Sequence, residues 1–128
     1  MNDEIVLAMR GLGSALRSLQ KARSSAFDIL VIWTNRFVDG AERTSQDAID
    51  AEKELRYRTD DLLADLQGSS ASADLFAVML TAHKPELETS PEILGIIRFL
   101  LEQLETELDN ADVLVQRLTR IRRNPATY

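Results

Sequence analysis

Cysteine is absent, and the 128 residues include only three prolines, five glycines, one histidine and one tryptophan. Without cysteine there are no disulfides, thiolate nucleophiles, zinc–cysteine sites or iron–sulfur clusters, and a reducing cytoplasm is the expected location. One histidine rules out a paired Glu-x-x-His di-metal site. Scarce Pro and Gly let long helices run unbroken. No apolar run approaches the roughly 20 residues that span a bilayer, and Ile29 to Trp33 falls far short of it. Met1-Asn2-Asp3-Glu4 is acidic where a secretory signal needs basic residues. No Gly-x-Ser-x-Gly elbow and no Walker-type glycine loop occurs, so Ser69, Ser70 and Ser72 read as linker and cap. No cofactor is expected.

The sequence is rich in apolar residues at helical spacing, with 45% hydrophobic and 28% charged residues. Ile5, Met9, Leu12, Leu16, Leu19, Ala26, Leu30, Trp33 and Phe37 alternate by four and three, which predicts an amphipathic helix over about 3–39 with only Arg23 interrupting its seam. Gly11 and Gly13 mark a local bend or a close backbone contact. The run Phe27–Trp33 is apolar almost all round, so it needs cover on several sides. Asp39-Gly40 closes this helix, and Asp39 or Thr44 caps the next.

A thinner stripe of Ala48, Ile49, Leu55, Leu62, Leu63 and Leu66 predicts a half-exposed helix over 41–67, with Glu52–Arg56 and Glu54–Arg58 as i,i+4 pairs. The small, polar stretch 67–72 reads as a flexible linker, and Ser72 as the cap of a short helix over 73–84 that Pro85 ends. Ser90-Pro91-Glu92 combines a cap, a first-position proline and an acid at the positive dipole end, which starts a last helix over 91–123. Its stripe is Leu94, Ile97, Leu101, Leu104, Leu108, Ala111, Val115 and Leu118, widened by Ile93, Leu100, Leu114 and Ile121. The fold expected is a single all-α domain over 1–128, an elongated bundle of three long helices and one short one. The first and last helices, on the order of 50 Å long, exclude a compact globule.

The net charge is −6 and unevenly spread. Residues 113–128 hold Arg117, Arg120, Arg122 and Arg123 without an acid, whereas Glu102, Glu105, Asp109 and Asp112 form an acidic ridge on the last helix. Three functional readings follow. The first is a non-enzymatic assembly subunit, a homo-oligomer or part of a larger complex, binding protein through Ala26, Phe27, Leu30, Trp33, Phe37, Leu101, Leu108 and Val115. The second is a nucleoprotein subunit holding nucleic-acid backbone through Arg10, Arg17, Arg117, Arg120, Arg122 and Arg123. The third uses the acidic ridge with Asp61 or Asp65 to hold magnesium, a pattern similar to that of all-α nucleotide pyrophosphohydrolases, which bring their acids from two facing helices. Histidine phosphotransfer domains carry the accepting His in mid-helix before a Lys-Gly. His83-Lys84-Pro85 departs from that pattern by stopping a helix, so His83 reads as a cation suited to a helix C-terminus.

Overall fold

A computed structural model describes residues 3–38 and 46–123, with the side chains of residues 36–38 outside that description. The order is α1 (Asp3–Val38), α2 (Gln46–Ala82), α3 (Lys84–Leu87) and α4 (Pro91–Arg123). Three long helices and one short one make an elongated all-α bundle, as the apolar spacing implies. Among the described residues no helix is long and apolar enough to cross a membrane.

Direction follows from the cross-helix contacts. Glu4 meets His83 and Trp33 meets Thr59, so α1 and α2 are antiparallel. Arg122 meets Asp60, while Leu108 and Val115 earlier on α4 line a groove with Ser70 and Asp74 later on α2, so α2 and α4 are antiparallel as well. α1 and α4 are therefore parallel, and Arg23 meets Glu107 between them. The chain thus runs up, down and up.

Each long helix buries a heptad seam, because 3.5-residue spacing keeps one stripe facing the neighbours over the whole length. On α1 the buried set includes Ile5, Ala8, Leu12, Ala15, Leu19, Ala22, Ala26, Ile29 and Trp33. This seam is turned slightly from the one the large residues alone suggest. Ala8, Ala15 and Ala22 replace Met9, Leu16 and Arg23 at its centre, since small side chains let α2 approach closely. Leu16 and Leu30 are still buried, on the adjoining flank. Gly11 serves the same approach: a Cβ there would collide with the tip of the Phe76 ring. The close contact expected near Gly11 is present, while a Cβ at Gly13 would make only ordinary contact with the Arg17 side chain.

The break expected at 67–72 is not there. α2 continues through Gly68, Ser69, Ser70 and Ser72 to Ala82, so the separate helices expected over 41–67 and 73–84 are one element of 37 residues. The reason is register. Leu55, Thr59, Leu62, Leu66, Ser69, Ala73, Phe76 and Leu80 repeat by four and three without interruption, all buried or half-buried. Packing against α1 offsets the roughly 1 kcal/mol helix penalty of Gly68. Ser70 Oγ adds a bond of 2.7 Å to the Leu66 carbonyl. The short helix is instead α3, with Pro85 in its first turn. The caps expected at Asp39 and Thr44 lie outside the described residues. α4 begins at Pro91 as its start signal requires, and the Leu94 N–H donates to the Ser90 carbonyl at 3.0 Å.

The α4 seam is Ile97, Leu100, Leu104, Glu107, Ala111, Leu114, Leu118 and Ile121. A carboxylate therefore occupies a core position. Glu107 Oε1 accepts from Arg23 Nη1 at 3.0 Å, with the Glu107 side chain 6% exposed. Burying a carboxylate costs several kcal/mol unless it is paired, so Arg23, an interruption in the sequence of α1, is what this acid requires. Among the described residues no buried side-chain nitrogen or oxygen lacks a partner.

Candidate functional site

The residues expected to form a protein interface separate into three environments. Ala26, Leu30 and Trp33 are buried in the chain's own core. Trp33 Nε1 donates to Thr59 Oγ1 at 3.0 Å, and Thr59 donates onward to the Leu55 carbonyl at 2.7 Å. Phe27 points outward and is 53% exposed. Leu101, Leu108 and Val115 are half-buried and pack against the core. The Phe37 side chain lies outside the described residues.

Other outward apolar residues that the seam does not use lie on α1 and α4. Val31, one turn further on α1, is 57% exposed, and Ile32 is exposed beside it. On α4, Ile96, Phe99 and Val113 are exposed. Helical spacing puts Phe99 half a turn from Leu108, on the α1 side of α4. The register of the Arg23–Glu107 pair sets Phe27 level with Ala111, so Phe27, Val31 and Val113 fall along one side of the α1/α4 pair. The signal for Val31 was present in the sequence as an i,i+4 repeat from Phe27. For Ile96, Phe99 and Val113 it was masked by the wider α4 stripe.

Two grooves flank α2. One, about 670 Å³, lies between α1 and α2 and is lined by small side chains including Ser14, Ser18, Ser25, Gly68 and Ser72, with Lys21 and Asp65 at its sides. The other, about 530 Å³, lies between α2 and α4 and is lined by Ala71 and Asp74 from α2 and by Leu108, Asp109, Asp112 and Val115 from α4.

The charged candidates are spread out. Arg122 is held by Asp60, and its Nη2 donates to Oδ2 at 2.9 Å. That contact lowers the Asp60 pKa from 3.8 and raises the Arg122 pKa, the hydrogen bond being the main cause of both. Arg56 Nη1 donates to the Arg122 carbonyl at 3.0 Å, satisfying one of the open acceptors at the α4 terminus. Arg117, Arg120 and Arg123 are exposed at that end, while Arg10 and Arg17 are exposed towards the other. Since Arg117 is level with Trp33, Arg17 is sixteen residues away along the axis, about 24 Å. These arginines do not converge on one strip.

The acidic ridge of Glu102, Glu105, Asp109 and Asp112 is exposed on α4. Asp65 lines the α1/α2 groove, away from that ridge, and Asp61, one turn earlier, shares its face. The two sets are therefore not brought together. Among the described residues no group of three or more His, Asp or Glu side chains is placed to hold a metal ion.

No family model, curated protein or solved structure matches this chain. The geometry of its surfaces is what supports a functional reading.

Proposed function

We propose that this chain is a helical assembly subunit that works by binding protein, without chemistry of its own, through the apolar side formed by Phe27, Val31 and Val113. The observation that carries the reading is the exposure of all three by more than half while the core beneath them is already complete. Large apolar side chains grouped on one side of a surface mark interaction sites more often than isolated ones do. Leu30 and Trp33 support the reading indirectly, by holding α1 rigid under its outward face. A homo-oligomer or a larger complex are both forms of such an assembly.

Sedimentation over a range of concentrations tests the reading, with the native chain compared with a Phe27→Asp/Val31→Asp double variant. Association of the native chain, weakened at least tenfold in the variant, is the expected result, equivalent to about 1.4 kcal/mol. A chain that stays monomeric throughout, and binds no protein through this face, argues against it. Trp33→Asp is unsuitable as a probe, because a charge at this fully buried position unfolds the bundle first.

A further inference from the structure

We propose that the groove between α2 and α4 is a docking site for one basic amphipathic helix from a partner protein, which lies along it as a fourth member of the bundle. The proposal rests on reading the chain as a protein-binding subunit, and it concerns a different face from the Phe27 side.

The floor of the groove has the repeat a helix recognises. Leu94, Leu101, Leu108 and Val115 recur every seven residues on α4, each half-buried, over about 31 Å. Across from them on α2, Leu63, Ser70 and Ala77 recur at the same spacing and are also half-buried. Beyond these, Ala71 is small and exposed, leaving room for an incoming backbone. Two parallel rows of half-covered residues at heptad spacing form a seat for apolar side chains arriving at positions i, i+3, i+4 and i+7.

The rim specifies the charge of the occupant. Asp74 from α2 and Asp109 and Asp112 from α4 surround Leu108 and Val115, and Glu105 continues the rim one heptad before Asp112. All four carboxylates are exposed. The basic groups on this side stand at its ends: Arg98 is one heptad before Glu105, and Arg122 is taken up by Asp60. The middle of the groove therefore carries negative charge alone. A helix flanked by Lys or Arg relieves that repulsion as its apolar residues cover the floor, whereas an acidic helix of the same apolar pattern adds to it.

The absence of cysteine makes the test direct, since Ala71→Cys gives a single site for an environment-sensitive dye. The probes are a 21-residue Leu/Lys heptad peptide, the same apolar pattern with Glu for Lys, and a scrambled Leu/Lys sequence. The expected result is a saturable signal with the first peptide and binding at least tenfold weaker with the other two. Asp109→Lys/Asp112→Lys should weaken the first peptide tenfold or more, while Asp47→Lys/Asp50→Lys, far along α2, leaves it unchanged. Circular dichroism confirms that both exposed double variants keep the native helix content. Equal binding by the scrambled peptide, indifference to Asp109→Lys/Asp112→Lys, or a dye signal that rises with protein concentration alone each overturns the proposal, the last by giving the groove to a second copy. Failure here with the Phe27-dependent association intact removes the groove assignment only. Loss of both removes the assembly reading itself.

Discussion

Arg23 and Glu107 join α1 to α4 across the bundle, with the guanidinium 3.0 Å from a carboxylate that is almost wholly covered. Glu107 occupies a core position of the α4 seam and Arg23 flanks the α1 seam beside Ala22, so the pair specifies which turn of α1 sits beside which turn of α4. Arg23→Leu leaves a buried carboxylate without its cation and should destabilise the fold by about 3 kcal/mol. The double variant Arg23→Leu/Glu107→Leu should recover most of that loss. Urea denaturation of the four proteins in the cycle measures it, and a coupling near zero would show that the pair holds nothing.

Trp33 and Thr59 invite a second comparison. Thr59→Val keeps the volume but removes the indole N–H acceptor, at a cost of about 1–3 kcal/mol. Thr59→Ser keeps the hydroxyl and gives up one methyl. Because Trp33 is the sole tryptophan, its emission isolates the contact. The spectrum should shift in Thr59→Val and stay in place in Thr59→Ser.

Much of this architecture is legible in the sequence, for identifiable reasons. Ile5, Leu12, Leu19 and Trp33 announce α1 because they are large and regularly spaced, and Ser90-Pro91-Glu92 announces α4 because capping chemistry is local. The continuity of α2 is harder to read. Ser69 and Ala73 hold core positions with side chains too small to register as hydrophobic, and Gly68 beside them resembles a break. Glu107 is missed for the opposite reason, since its charge disguises a core position that only its partner on α1 explains. As for the candidate surface, Phe27 is visible in the sequence, but which side of an all-round apolar stretch faces outward depends on where α2 and α4 pack.

Gly11 and Phe76 supply a prediction with a change of sign. Gly11→Ala adds helix propensity worth about 1 kcal/mol, yet its methyl meets the Phe76 ring, so alone it should be neutral or destabilising. In a Phe76→Ala background the obstruction is gone, and the same substitution should stabilise by about 1 kcal/mol relative to that background. Thermal unfolding of the four proteins reads the reversal directly.

His83 makes stability depend on pH. Its Nε2 lies 2.6 Å from Glu4 Oε2 and its Nδ1 3.3 Å from Glu86 Oε1, and these hydrogen bonds, Glu4 first, raise its pKa from 6.5. The folded state then holds the proton more tightly than the unfolded state does. The stabilisation is complete below pH 6.5 and fades as pH rises through the raised value. The unfolding midpoint should therefore fall as the pH rises above 6.5, by less in Glu4→Gln and least in His83→Gln. Equal slopes in all three proteins would count against the contact.

An odd number of long helices places Asp3 and Arg123 at opposite ends of the bundle. Tension applied between them runs parallel to the helix axes, so it loads the seams in shear instead of peeling one helix from its end. Every heptad layer then resists together, and the Arg23–Glu107 pair acts as a tooth against sliding.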